Sequence, residues 1–249
     1  MPRFFLPAAP GEGETFTITG EDAAHISRSL RMRPGERITV AGGGDESEAE
    51  IIRITPDAVH ARALSKKRCE SEPPLRYRLF QCIPKGDKFD EIIQKSVETG
   101  AAEIIPVVSS RVISRPDAAS SSAKTARRRR IALNAAMQCG RGTIPTVSDP
   151  VKFEDAAREM AETPSFFCWE EGGEPLHAVL SRIRPDGGTV SFLVGAEGGI
   201  SEAEAETLKR NGAVPVWLGH RILRCETCAP FVLACLSYEF EMDRNEKPE

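Results

Sequence analysis

Two short stretches concentrate residue types that can do chemistry. In "LVGAEGGISEAE" (193–204) an apolar run ends at Gly195, Glu197, Gly198 and Gly199 follow, and Ser201 precedes Glu204 by three residues. Glycines in such a turn let bare backbone N–H groups approach a ligand, and the Ser–x–x–Glu spacing predicts a capping box with a helix starting at Ser201. The loop is neither a Walker A loop, because no Gly-Lys-Ser/Thr follows, nor a G-x-G-x-x-G loop, and Glu197 would repel a pyrophosphate. A carboxylate there suits a ligand with hydroxyls or positive charge. A structural turn is the plainer alternative. The second stretch, "VWLGHRILRCETCAP" (216–230), repeats the plan with Gly219 at a strand end, then Arg221, Arg224 and Glu226, then an apolar helix. Ligands of open α/β sheets bind at the carboxyl ends of strands. Two such ends separated by one helix lie close together in a parallel sheet.

The other reactive groups carry weaker signals. Cys225 and Cys228 form a C-x-x-C, but no second C-x-x-C or histidine pair stands at zinc spacing, so neither metal nor redox chemistry is favoured. Cys139 could serve as a nucleophile; a small structural cysteine is the favoured reading. His25, His60, His177 and His220 share no spacing that would gather a metal. Arg127–Arg130 fall in a helical stretch where four successive residues face all directions, so part of the run is solvated. Lys85, Arg111 and Arg141, near strand ends, are better placed to touch a polyanion.

The elements that must position these groups change character along the chain. "RITVAG" (37–42), "EAEIIRI" (48–54) and "AVHARAL" (58–64) predict strands separated by turn residues. "EDAAHISRSLRM" predicts one helix with Ala24, Ile26 and Leu30 on a shared face. Pro73-Pro74 can continue neither kind of element, so a small β-rich domain ends there. Beyond it strands alternate with helices. Strands are expected over 76–83, 103–108, 165–169, 189–194 and 214–218. Helices are expected over 88–100 (with Gly100 as its stop), 124–138, 153–162, 174–183, 201–211 and 226–241, with 114–124 as a long Ser/Pro-rich loop. This alternation implies a mainly parallel sheet covered on both faces.

Composition bounds the reading. Hydrophobic residues make up 40% and charged residues 28% of 249 positions, as in an ordinary globular protein. No run approaches the roughly 20 apolar residues of a membrane span. "MPRFFLPAAPGEGE" is not a signal peptide, and seven scattered cysteines argue against a secreted disulfide framework, so a cytoplasmic protein is expected. The net charge of −4 hides an asymmetry: residues 73–148 carry 13 basic and 6 acidic side chains, while 149–249 carry 10 and 19. A basic middle in an acidic chain suggests a local polyanion site.

"LVGAEGGIS" and "LGHRILRCET", with "PKGDKFDEIIQKSVETGAAEIIPVVSSR" and "QCGRGTIP" in order before them, resemble the motifs of SPOUT-class RNA methyltransferases. Within that class the chain resembles the bacterial 16S ribosomal RNA (uracil-N3)-methyltransferases over nearly its whole length. "DAAHISRSLRMRPGERITV" is similar to that family's N-terminal domain.

The resemblance implies an α/β fold, with a PUA-like β-barrel RNA-binding domain over 1–72. Over 73–249 it implies a SPOUT-type parallel sheet with a C-terminal trefoil knot. It further implies S-adenosylmethionine as cofactor, held by Leu193, Val194, Gly195, Glu197, Gly198, Gly199, Leu218, Gly219, Ile222, Leu223, Arg224 and Thr227. The substrate would be 16S rRNA or the assembled small subunit, met by Arg28, Arg31, Lys85, Arg111, Gln138 and Arg141. A homodimer is implied, and no metal. Arg224 or Arg221 would stabilise the deprotonated uridine N3, with Glu226 or Glu197 holding the arginine or accepting a proton. N3 methylation needs no cysteine, because the imide nitrogen carries its own lone pair. Ala196 and His220 stand where the family usually has proline, Cys225 and Cys228 where it has threonine, and Met137 where it has glutamate. The rival readings are a SPOUT enzyme acting on another RNA position and a non-catalytic RNA-binding protein.

Overall fold

The computed structural model describes residues 1–111, 118–184 and 188–242, with the side chains of 118–121 excluded. It comprises two compact units, Met1–Glu72 with Ala136–Ile144, and Pro73–Ala135 with Pro145–Glu249. The stretch 136–144, expected with the catalytic domain, packs instead with the first unit.

The first unit contains β1 (Arg3–Phe5), β2 (Thr15–Thr19), α1 (Gly20–Ala24), β3 (Arg37–Gly42), β4 (Asp45–Ile54), β5 (Ala58–Ala63) and β6 (Lys67–Arg68). Its strands run in the order β1-β3-β4-β5-β2, with β6 on β4. β1 joins β3 in parallel and the other pairs are antiparallel. Among the described residues the end strands β1 and β2 do not pair, so the expected barrel is an open half-barrel. Alternation along β3 buries Ile38 and Val40, which join Phe4, Ile18, Ile26, Ile51 and Val59 in one core. A register shift between Ile51 and Arg53 leaves Ile52 exposed, as an extra residue in one strand does.

The helix expected over the "EDAAHISRSLRM" stretch changes type midway. After α1 the chain widens into a π turn, His25–Ser29, and Leu30 donates to the His25 carbonyl five residues back. The wider turn shifts the phase of the apolar face. Ile26 is buried, while Leu30, expected beside it, is exposed. Arg31 then adopts φ 53°, ending the turn.

The second unit contains β7 (Arg76–Cys82), α2 (Lys88–Glu98), β8 (Ala101–Val108), α3 (Ala118–Cys139, whose last residues pack in the first unit), β9 (Thr146–Val147), β10 (Val151–Lys152), α4 (Phe153–Met160), β11 (Ser165–Cys168), β12 (Glu174–Pro175), α5 (Leu176–Leu180), β13 (Thr189–Val194), α6 (Glu202–Arg210), β14 (Val214–Trp217) and α7 (Cys225–Phe240). The sheet runs β10-β8-β7-β13-β11-β14-β12, with β9 on β8, and every pairing is parallel. β7 and β13 are buried almost throughout, the pattern of strands covered on both faces. Phe80, Cys82, Phe167 and Leu193 pack with α4 and α6, and α7 packs with α2, β7 and β13.

The expected loop over 114–124 is corrected from Ala118 onward, where α3 already runs. Alanine and serine there extend a helix that its long C-terminal part has nucleated; residues 114–117 lie outside the described residues. Gly100, at φ +98°, follows α2 as its expected stop. No helix among the described residues is long and apolar enough to cross a membrane.

Candidate functional site

The carboxyl ends of β11, β13 and β14 meet at a cavity of about 350 Å³. Val194, Gly195, Ala196 and Gly199 line it from the last residue of β13 onward, and Trp217 to Leu223 from the last residue of β14. Cys225 and Cys228 add one wall from α7. The two glycine loops therefore share one space. β11 lies between their strands and supplies a third segment, Cys168, Trp169 and Glu170, which the sequence reading missed. Its signal was available: "EEGG" (170–173) is another polar, glycine-bearing exit from a strand.

Local chemistry explains how the first loop folds. Ser201 caps α6: its hydroxyl accepts from the Glu204 N–H (3.3 Å), and the Glu204 carboxylate accepts from the Ser201 N–H (3.0 Å). The same carboxylate accepts from the Ser110 N–H (2.8 Å), tying the exit of β8 to α6. Burial opposes ionisation of Glu204, and these donors outweigh it, holding its pKa below the usual carboxylate value. Ala196 and Gly199 form an antiparallel bridge. A Cβ on Gly195 would stand 2.9 Å from the Gly199 backbone, and one on Gly199, at φ +67°, would stand 2.5 Å from the Glu170 carboxylate. These two glycines thus serve the loop's own closure before they serve any ligand.

Glu197 turns toward α2. Both its oxygens accept from the Lys85 N–H at 3.2 Å, and Oε1 pairs with Lys88 Nζ at 3.0 Å. Lys88 also reaches Glu226 at 3.6 Å. One ammonium therefore holds both carboxylates expected to hold an arginine, while Arg224 approaches Glu226 only to 4.0 Å. Burial resists ionisation of Glu197, but its own amide, Lys88 and Lys85 lower its pKa. Glu226 is lowered by its own backbone N–H and by the Cys225 thiol. That thiol donates to Glu226 at 3.2 Å, and burial with the neighbouring carboxylates pushes its pKa up to about 12. A thiol held this way stays protonated and is no nucleophile at neutral pH.

The other expected site residues fall as follows. Val194, Gly195, Gly199, Leu218, Gly219, Ile222 and Leu223 line the cavity, as does Arg221. Leu193 is buried in the core, Glu197 faces Lys88, and the Gly198 carbonyl accepts from Arg111. Arg224 precedes the first turn of α7, highly exposed, with Glu226 and Thr227 in that turn. Arg28, Arg31 and Gln138 are exposed in the first unit. Arg141 departs from its expected role as an RNA contact. It is buried, and its guanidinium forms a two-pronged pair with Glu72, both bonds at 2.9 Å. Three members of the Arg127–Arg130 run are also engaged internally: Arg127 with Asp90, Arg128 over the Phe89 ring, and Arg129 with the Val147 carbonyl. His220 lies edge-on to Trp217 at 4.9 Å. Among the described residues no group of three His, Cys, Asp or Glu could hold a metal.

Comparison with known proteins defines the class. Residues 71–237 match the RNA methyltransferase domain and residues 18–64 the RNA methyltransferase PUA domain. The fold is the α/β architecture of a SPOUT-type sheet preceded by a PUA-like half-barrel. The ribosomal RNA small subunit methyltransferase E of Bacillus subtilis is 32% identical, over 99% of this chain and all of that one. The enzyme of the same name from Neisseria gonorrhoeae, solved with S-adenosylmethionine, superposes with a TM-score of 0.86 at 32% identity, covering 98% of this chain and all of that one. A Legionella pneumophila methyltransferase holding the same cofactor gives 0.83 at 30% identity over 95% and 96%. The chain belongs to the ribosomal RNA small subunit methyltransferase E family.

Proposed function

We propose that the chain methylates N3 of a uridine in small-subunit ribosomal RNA, with S-adenosylmethionine held where the three strand ends meet. The observation that carries this reading is the convergence of both glycine loops and Arg221 on one cavity, with Arg224 just beyond them. Its volume lies in the roughly 300–1,000 Å³ range of small-molecule sites. Trp169, Trp217, Leu218 and Leu223 offer apolar walls for a purine, and the Glu170 carboxylate offers an acceptor for hydroxyls or a partner for positive charge. The bound cofactor supplies an electrophilic methyl group.

The residues of the chain do the rest. Uridine N3 is mostly protonated at neutral pH and reacts as its anion. The exposed Arg224 guanidinium, beside the positive end of α7, favours that anion. Glu226, kept ionised and tied to Lys88, lies in the first turn of α7, 4.0 Å from the guanidinium of Arg224, which precedes that turn. Orientation of base and methyl donor in line contributes further acceleration.

We further propose a homodimer in the cytosol, where the chain's thiols stay reduced. Ile222, 88% exposed beside the cavity, supports a second subunit covering this edge.

Mass spectrometry of 16S rRNA from a deletion strain, with and without the restored gene, tests the substrate. One N3-methyluridine should vanish and return. An unchanged 16S rRNA, or loss of a modification at another atom, refutes the assignment. Sedimentation that finds a fully active monomer at micromolar concentration refutes the dimer.

A further inference from the structure

Gln81 is a fully buried amide between the buried Phe80 and Cys82 at the carboxyl end of β7. It stands opposite Val194, the last residue of β13 before the glycine loop. Burying an amide costs free energy that an aliphatic side chain would not. Its Nε2 lies 3.4 Å from the Val194 carbonyl, 3.3 Å from that of Gly195 and 3.0 Å from that of Cys82. Three carbonyl acceptors around one nitrogen fix which end of the amide faces the loop. Oε1 has no partner among the described residues, so every hydrogen bond of the amide is made by Nε2. Because each peptide unit is planar, holding the carbonyls of Val194 and Gly195 sets the orientation of the Gly195 and Ala196 N–H groups. The plane between Gly195 and Ala196 is thereby held at its carbonyl end by Gln81.

We propose that Gln81 is a positioning residue for methyl transfer: its amide sets the first two peptide planes of the glycine loop and so prepares the loop for the cofactor. This rests on the reading of the loop as the cofactor site. The cost of the buried amide is offset by preorganisation, since a loop already in its bound shape loses less conformational freedom on binding.

Calorimetry with S-adenosylmethionine on the full chain tests it, using Gln81→Leu, Gln81→Glu and Gly199→Val beside the wild type. Both tryptophans of the chain line the cavity, so their fluorescence gives a second readout. With one N–H on the Cys82 carbonyl, the other is shared between the two longer loop contacts, and the loss of about one ordinary bond corresponds to roughly a threefold to tenfold weaker binding in Gln81→Leu. KM for the cofactor should rise by a similar factor while kcat at saturation is largely kept.

Gln81→Glu keeps the shape and separates positioning from packing. An ionised carboxylate facing three carbonyls is repelled, whereas a protonated one donates a single bond to the loop. Burial raises its pKa, so its affinity relative to wild type should recover several-fold as pH falls from 8 to 6. Gln81→Leu should show no such recovery. Wild-type affinity in Gln81→Leu, or a Gln81→Glu to wild-type ratio flat across pH, overturns the role of Gln81. Wild-type affinity in Gly199→Val instead shows that the cofactor binds elsewhere, which overturns the reading of the loop.

Discussion

Arg141→Ala separates a structural arginine from an RNA contact. Its guanidinium is almost wholly buried and shares two 2.9 Å bonds with Glu72, whose side chain is 15% exposed. Removing one partner of a buried pair costs about 3–5 kcal/mol. Glu72 would keep the N–H groups of Gly142 (2.7 Å) and Thr143 (3.0 Å), so the lower end, about 3 kcal/mol, is expected. With a urea slope of about 1–3 kcal/mol per molar, the unfolding midpoint should drop by about 1 M or more. The pH dependence has a definite sign. Burial opposes ionisation of Glu72, but Arg141 and the two amides outweigh it, so its folded pKa lies below the unfolded value. The stabilisation is therefore present above the ordinary value of about 4.3 and is lost as pH falls through the folded pKa. The gap between wild type and variant should be full at pH 7 and shrink below about pH 4. Urea titrations at pH 7, 5 and 3.5 measure the gap, and RNA binding over a salt series measures phosphate contact. Unchanged stability together with a salt slope lower by about 1 would refute the reasoning and return Arg141 to the RNA.

Four further outcomes follow from the same geometry. Arg28→Ala with Arg31→Ala should lower the salt slope of RNA binding by about 2 without moving the melting temperature, and an unchanged slope places the phosphates elsewhere. Arg224→Ala should slow single-turnover methyl transfer, keep cofactor affinity and regain rate at higher pH. Lysine should rescue it only partly, because it lacks the planar fork; lost cofactor affinity with a wild-type pH profile would make Arg224 a loop brace and shift its role to Arg221. Lys88→Met should weaken cofactor binding by freeing Glu197 and Glu226, and reduce its salt dependence, while equal affinity and equal salt dependence would dismiss the cluster. Glu204→Gln should lose about 1–3 kcal/mol at neutral pH in denaturant titrations, through weaker bonds to Ser110 and Ser201, with the difference vanishing in acid as the wild-type carboxylate protonates.

Local interactions decided what could be read without coordinates. The capping box at Ser201 and Glu204, the stop at Gly100, the strands of β7 and β13 and the helical repeat of α2 all depend on neighbours within a few residues, so their signals lie in the chain itself. The two glycine loops were legible for the same reason: each is an apolar run broken by glycine at a strand end. The resemblance to a methyltransferase family then supplied a chemistry that periodicity cannot encode.

Tertiary structure alone decided the partners. That β11 separates β13 from β14 and adds Glu170 to the cavity is a matter of strand order, which parallel crossovers leave unspecified locally. Lys88 is an ordinary helix-start lysine until folding brings Glu197 and Glu226 against it from more than 100 positions away. Arg141 looked like a polyanion contact because charge near a strand end usually faces solvent. Glu72, 69 residues earlier, turns it inward. Short strands such as β1 and β12 show no period to recognise, and they exist because a longer neighbour presents an edge to pair with. Ion pairs and strand neighbours distant in sequence depend on loop closure and packing, which no local pattern records.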